Sequence, residues 1–213
     1  MQNNSPGTLS KFFGHTISFV THPLFVPTYF ILYLIKVVPF EFVGITDWQL
    51  QLRVFSVFWL TAFFPAFAVF LLWRLKFSES IFLRTQKDRI IPYVIVMFFY
   101  WWMYYLSRNF SDQPIVLKYF YFGVFIASAI GLIVNNFIKV SLHGMGIGGM
   151  LASVVLVGLK YPINNIIWDI AILFIAGIVI SARMMVSDHT NKELTIGLGI
   201  GIITQTLAYF WVG

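Results

Sequence analysis

Long apolar runs separated by short polar segments set the pattern of this chain. Seven runs can be placed, at about 19–38, 54–74, 90–106, 117–137, 143–158, 166–183 and 194–212. Each approaches the roughly 20 mostly apolar residues that an α-helix needs to cross the hydrocarbon core of a bilayer. Because the third and fifth runs are the shortest, the pattern predicts an all-α, polytopic transmembrane helix bundle of six to seven spanning helices.

The polar segments between the runs are short, and the sequence contains no linker, low-complexity stretch or internal repeat. Residues 1–213 are therefore predicted to form a single transmembrane domain, with residues 1–11 as a polar N-terminal tail. The first run contains Pro23 and Pro27 and is followed by no small-x-small site, so it is not predicted to be a cleaved signal peptide. Residues 75–89 mix apolar and charged side chains, which predicts a helix lying at the membrane interface.

Composition agrees with a lipid environment. Hydrophobic residues make up 59% of the chain and charged residues only 10%, whereas a soluble domain carries roughly a quarter charged residues. The net charge of +6 is spread singly between apolar runs, which argues against nucleic acid and favours anionic lipid head groups or an anionic substrate. The absence of cysteine excludes disulfides and thiolate metal sites.

The order of crossings predicts which polar segments share a membrane face. A helical chain changes sides with every span, because non-helical backbone cannot sit exposed in the hydrocarbon. With seven spans, the face of the N-terminus, here called side A, receives His22, Arg84, Lys87, Arg89, His143, Arg183, His189 and Glu193. The planar guanidinium of arginine can donate hydrogen bonds to two phosphate oxygens at once. Histidine can gain or lose a proton near neutral pH. The alternative is that these cations only reach toward lipid head groups.

The strongest local pattern joins Arg183, His189 and Glu193. A carboxylate beside an imidazole can accept one ring N–H, fix the tautomer and leave the other nitrogen as a nucleophile or base. Thr190 and Glu193 also stand at the spacing of a capping box, so Glu193 is equally predicted to cap the last helix. The two interpretations are compatible.

A second pattern places Ser141 and His143 at the entry to the fifth run, ahead of several glycines. A histidine alone at a helix entry is usually a capping or interface residue. A chance GxGxxG match follows, but no strand precedes it, so a dinucleotide site is rejected. Small residues that permit close helix packing are the better interpretation for Gly144, Gly148, Gly197, Gly199 and Gly201.

These segments, in this order, resemble the type 2 phosphatidic acid phosphatase superfamily, which shares its catalytic site with vanadium-dependent haloperoxidases. The first motif would be Arg84, Lys87 and Arg89 before Pro92, which suits a helix start. The second would be Ser141-Leu-His143. The third would be Ser181-Ala-Arg183, five residues, His189, three residues and Glu193, where the family has Ser directly before Arg. The chain departs from the family pattern in an extra Ala182, in Glu193 for the usual Asp, in Leu142 for Gly and in the spacing of the first motif.

The resemblance implies an integral-membrane lipid phosphate phosphatase that hydrolyses a phosphomonoester or diphosphate of a membrane lipid through a phosphohistidine. It implies His189 as nucleophile, Glu193 as its orienting partner and His143 as general acid and then base. Substrate binding would fall to Arg183, Lys87, Arg89, Arg84 and Ser141, with no metal or cofactor required. Phosphatidate, phosphatidylglycerophosphate, undecaprenyl diphosphate and a lipid A phosphate all remain candidate substrates, and the oligomeric state is open.

The alternative function is a non-catalytic lipid-phosphate-binding relative or a transporter. Ionisable residues deep within the spans would favour transport, but Asp169 is the one acidic candidate and lies near a run's end. Side A carries nine Lys and Arg against five on the other face, or five against five without the predicted site residues. The protein is expected to be multi-pass in the inner membrane, and the resemblance favours a site at its outer, periplasmic face.

Overall fold

Helices make up nearly all of the described chain. A computed structural model of the protein describes residues 8–77, 86–161, 165–186 and 189–212. Within these ranges there are nine α-helices: α1 Thr8–Val20, α2 Val26–Val37, α3 Asp47–Phe58, α4 Phe64–Arg74, α5 Ile90–Asn109, α6 Ile115–Asn135, α7 Leu142–Lys160, α8 Ile166–Val186 and α9 Asn191–Val212. A π-helical turn, Trp59–Phe63, connects α3 to α4 directly.

Seven helical segments of the described chain are long and apolar enough to cross a membrane, which confirms the polytopic all-α bundle. They are Leu9–Val37, Asp47–Arg74, Lys87–Asn109, Ile115–Asn135, Leu142–Lys160, Ile166–Val186 and Asn191–Val212. Large apolar side chains remain exposed on their outer faces, as at Phe174 and Phe210. Such a surface suits lipid rather than water, because water-facing surfaces need many charged groups.

The first segment is two helices rather than one. Thr8 to Lys11 belong to α1, although the sequence predicted them as part of a polar tail; Leu9 and Phe12 are large apolar side chains at helical spacing. The α1 helix ends at Val20. A short 3-10 turn then runs from Pro23 to Phe25. Proline has no N–H to donate, so a continuous helix is difficult to maintain at this point.

Glycines bring α7 and α9 into close contact at the centre of the bundle. A Cβ atom on Gly201 would lie 2.2 Å from the Met145 carbonyl oxygen, and one on Gly148 would lie 2.3 Å from the Leu198 carbonyl oxygen. Gly144 and Gly197 are similarly close to backbone atoms of the opposite helix, which confirms four of the five predicted packing glycines. Gly199 was predicted wrongly, because a Cβ there would meet nothing within 4 Å.

The side A junctions are tied to each other. Gln86 and Asn135 exchange two side-chain-to-backbone hydrogen bonds of 2.9 and 3.0 Å, which fix the chain ahead of α5 to the end of α6. The Ser141 amide donates to the Glu193 carbonyl oxygen at 3.3 Å, which joins the start of α7 to the start of α9. The structure therefore brings the start of α5 to the end of α6 and the start of α7 to the start of α9, as a shared face requires. The helix predicted at residues 75–89 falls largely on residues 78–85, outside the described ranges.

Candidate functional site

His189 and Glu193 form the pair that their spacing predicted. His189 Nδ1 lies 3.0 Å from Glu193 Oε2, and their side chains are only 4% and 17% exposed. The same carboxylate oxygen accepts the Thr190 amide at 3.0 Å, while the Glu193 amide donates to Thr190 Oγ1 at 3.3 Å. Both predicted roles of Glu193 are therefore present together, since the capping box that starts α9 also holds the carboxylate against the imidazole.

This pair decides where the His189 proton lies. An ionised carboxylate only accepts hydrogen bonds, so Nδ1 carries the proton and the neutral ring has its lone pair on Nε2. Burial lowers the pKa of His189, and the positive charges of Arg89 and Arg183 lower it further, while Glu193 acts in the opposite direction. The ring is therefore held in the neutral form, which is the form a nucleophile or base requires.

His143 lies in the first turn of α7, and Ser141 positions it. The Ser141 side chain is fully buried, and its hydroxyl accepts the Gly144 amide at 3.3 Å as the N-cap of the helix. His143 Nε2 lies 2.9 Å from the Ser18 carbonyl oxygen near the end of α1. Because a carbonyl oxygen only accepts, Nε2 carries a proton. His143 can therefore offer that proton to whatever replaces the Ser18 carbonyl.

His22 joins this group although the sequence assigned it no role. Its ring centroid lies 5.4 Å from that of His143, with the ring planes 80° apart. His22 Nδ1 accepts the Leu24 amide at 3.4 Å, which caps the short turn that follows and leaves the proton on Nε2. The order of crossings placed His22 on side A, but no sequence motif includes it. Its position beside His143 depends on the interruption of the helix before Pro23.

Two arginines bring positive charge to the imidazoles. Arg89 is 8% exposed, and its Nη1 donates to the Val140 carbonyl oxygen at 3.0 Å, just before Ser141. It lies close enough to Glu193 and His189 to interact with both electrostatically. Arg183, in the last turn of α8, interacts in the same way with His22, His143 and His189. Among the cations in the described part of the chain, Arg183 is thus the one coupled to all three rings.

The other two cations predicted to bind substrate are Lys87 and Arg84. Lys87 lies in the 3-10 turn before α5 with its side chain exposed, and it makes no hydrogen bond or ion pair with other described residues. Arg84 lies outside the described residues. Lys139, which the sequence interpretation left out, interacts electrostatically with Glu193. A lysine between the end of α6 and the start of α7 carries no sequence pattern that separates it from an ordinary membrane-flanking cation.

The arrangement combines three kinds of group. Two guanidiniums can bind anionic oxygens, a neutral imidazole with its tautomer fixed can attack, and a second imidazole carries a transferable proton. Among the described residues, no three His, Asp or Glu side chains converge in the manner of metal ligands. The chemistry that these residues offer is transfer of an anionic group to His189.

Comparisons with protein-family models, with curated proteins and with solved structures return no match for this chain. The functional argument therefore depends on the residues and their geometry.

Proposed function

We propose that this protein is an integral-membrane phosphatase that hydrolyses a phosphomonoester or diphosphate of a membrane lipid without a metal ion, through a phosphohistidine on His189. One observation carries the proposal: His189 is held by Glu193 on Nδ1 and is electrostatically coupled to two arginines. Phosphoryl transfer needs positioning and neutralisation of charge more than covalent assistance from the protein. The resemblance to the type 2 phosphatidic acid phosphatases supports the same reaction.

In the first step the phosphoryl group moves from the lipid to the enzyme. Arg89 and Arg183 bind the phosphoryl oxygens, and His189 Nε2 forms a bond to phosphorus as the bond from phosphorus to the lipid oxygen breaks. Glu193 stabilises the positive charge that develops on the His189 ring. His143, in its protonated form, gives its Nε2 proton to the leaving oxygen and becomes neutral, so that an alcohol or a phosphate departs.

In the second step water removes the phosphoryl group. Neutral His143 takes a proton from the attacking water, the new oxygen–phosphorus bond forms, and the bond from phosphorus to His189 Nε2 breaks. Inorganic phosphate leaves, His189 regains its lone pair and His143 is again protonated. Splitting one difficult displacement into two steps lowers the barrier of each.

The hydrogen bond from His143 to Ser18 adds one requirement. Its Nε2 proton points at the Ser18 carbonyl oxygen, 2.9 Å away, so the leaving oxygen must take the place of that carbonyl. Ser18 lies near the end of α1, and the chain breaks just beyond it at Thr21–Phe25. A small shift of α1 about this break is therefore part of the proposed reaction.

The transport alternative gains no support from the acidic residue that would favour it. Asp169 lies in the first turn of α8 and accepts a hydrogen bond from Asn165 at 3.0 Å. Asn165 also accepts from the Tyr33 hydroxyl at 2.9 Å and donates to the Val154 carbonyl oxygen at 3.1 Å. The Asp169 carboxylate therefore has a structural role in this network, which accounts for its presence near the start of α8 without transport.

The location of the site is proposed to be the outer face of the inner membrane, as the resemblance favours. The excess of Lys and Arg on side A does not oppose this placement, because it disappears when Arg84, Lys87, Arg89 and Arg183 are set aside. The positive-inside rule then gives no preference for either orientation.

The test is phosphate release by the purified protein in EDTA, over a panel of phosphatidate, phosphatidylglycerophosphate, undecaprenyl diphosphate and a lipid A phosphate. Turnover of at least one lipid is expected, and His189→Ala should lower it by about 10³-fold or more. The control is His15→Ala, which removes an exposed histidine of α1 and should leave activity unchanged. No turnover on any lipid, or full activity in His189→Ala, would contradict the proposal.

A further inference from the structure

A groove between α1 and α8 ends beside the candidate site. It has a volume of about 580 Å³, within the range of roughly 300–1,000 Å³ typical of small-molecule sites. Its α8 wall extends from Leu173 to Met185, a rise of about 18 Å at 1.5 Å per residue. Most of its lining is apolar, and the side chains of Phe13 and Phe174 are largely exposed. We call this the α1–α8 groove.

Two residues of the groove directly precede residues of the site along the chain. Ala182, on its α8 wall, directly precedes Arg183, the cation coupled to all three imidazoles. Ile17, on its α1 wall, directly precedes Ser18, whose carbonyl oxygen holds the His143 proton. A phosphoryl group bound at Arg183 would therefore lie near one end of the α8 wall of the groove.

The buried hydroxyl of Ser18 follows the groove residue Ile17 in the chain. The Ser18 side chain is 8% exposed, and its hydroxyl has no hydrogen-bond partner among the described residues. A buried hydroxyl without a partner is costly, by about 1–3 kcal/mol. An ester or ether oxygen that separates a lipid phosphate from its hydrocarbon chain would supply an acceptor at this depth.

We infer that the α1–α8 groove binds one acyl or prenyl chain of the lipid whose phosphoryl group is held at Arg183. This inference rests on the proposed function and deepens it, because it assigns the specificity for a long-chain lipid to a named surface. The phosphate head group of the lipid would be held by the charge of Arg183, and its hydrocarbon chain by apolar contacts in the groove. A substrate with a short chain would bind the same cations without filling the groove.

The groove offers a matched pair of substitutions. A Cβ atom on Gly177 would meet nothing within 4 Å, and Gly177 lines the groove; Gly199 has the same open surroundings on α9 but does not line it. Gly177→Leu therefore places a side chain in the groove, and its Cβ atom meets nothing within 4 Å. Gly199→Leu makes the same chemical change on another helix of the bundle.

The experiment compares phosphate release from a long-chain phosphatidate and from its dihexanoyl analogue. Gly177→Leu should lower the ratio of long-chain to short-chain kcat/KM by about tenfold, since a few methylenes in an apolar pocket carry such a factor. Gly199→Leu should leave the ratio unchanged. An unchanged ratio in both variants, with normal wild-type turnover, would overturn the groove as a chain site.

A second measurement keeps the inference testable if the wild-type protein shows no turnover. Phosphatidate that carries a diazirine on its acyl chain is photolysed with the protein, and the labelled peptides are mapped. Labelling of the Leu173–Ile178 stretch of α8 that falls in Gly177→Leu, but not in Gly199→Leu, would support the groove even where the phosphatase proposal had failed. Labelling confined to other helices would overturn it.

Discussion

At the scale of single residues, Glu193 connects folding to chemistry. One oxygen of its carboxylate accepts both the Thr190 amide and His189 Nδ1, each at 3.0 Å. The cap that starts α9 thus fixes the tautomer of the nucleophile proposed here. The two roles can be separated, because glutamine at this position can still cap a helix but cannot carry the negative charge.

Glu193→Gln is expected to lower phosphate release on the order of 100-fold, because the positive charge that develops on His189 loses its partner. The melting temperature should change little, since glutamine also completes a capping box. Thr190→Ala should show the opposite pattern, with a loss of about 1 kcal/mol of stability and activity retained within a few-fold. Equal loss of activity in both variants would show that Glu193 acts only as a helix cap.

The pH dependence follows from the direction of the His189 shift. Burial, with Arg89 and Arg183, lowers its pKa from the ordinary value of 6.5. The reactive form is neutral, so as pH falls, activity is lost only when pH passes below this lowered pKa. On a substrate with a nitrophenolate leaving group, which needs no protonation, the acid limb of kcat/KM should lie below 6.5. A midpoint at or above 6.5 would contradict the assignment.

At the scale of elements, the approach of α7 to α9 sets the distance between the two histidine-bearing segments. His143 lies in the first turn of α7, while Glu193 lies in the first turn of α9 and holds His189 just ahead of it. Glycines on the facing sides of the two helices let the backbones meet, and the Ser141 amide bonds the Glu193 carbonyl directly. The geometry of the site therefore depends on residues that touch no substrate.

Gly201→Ala is expected to destabilise the protein by about 1–3 kcal/mol or more, because its Cβ would lie 2.2 Å from the Met145 carbonyl oxygen. Activity should fall with it as the helices separate. Gly199→Ala is the control, since a Cβ there meets nothing within 4 Å and alanine favours a helix by about 0.5–1 kcal/mol over glycine. Thermal unfolding in detergent measures both; a Gly201→Ala protein as stable as Gly199→Ala would contradict this packing.

At the scale of the whole molecule, hydrophobic length alone predicted six to seven spans, and the alternation of seven spans predicted the shared side A. The pairing of His189 with Glu193 could also be predicted, because both lie within one helical turn of Thr190. The position of His22 beside the site could not be predicted, because it depends on the interruption of the helix before Pro23. Four of the five glycines predicted to pack are confirmed, whereas Gly199 was predicted wrongly, because sequence spacing does not give the rotation of α9. The bond from His143 to Ser18 joins residues 125 positions apart, beyond any local pattern.

The most direct test of the central claim is to trap and map the phosphorylated residue. Because Nδ1 is engaged by Glu193, Nε2 is the nitrogen of His189 that we propose attacks phosphorus, so the phosphoryl group is expected on that atom. Rapid quenching of the enzyme with radiolabelled lipid phosphate should give an acid-labile phosphohistidine at His189, phosphorylated on Nε2. With radiolabelled nitrophenyl phosphate, whose leaving group needs no proton from His143, it should accumulate in His143→Ala, which lacks the base for the second step. Phosphate on Nδ1 or on another residue, or release with no phosphoenzyme in either protein, would contradict the account.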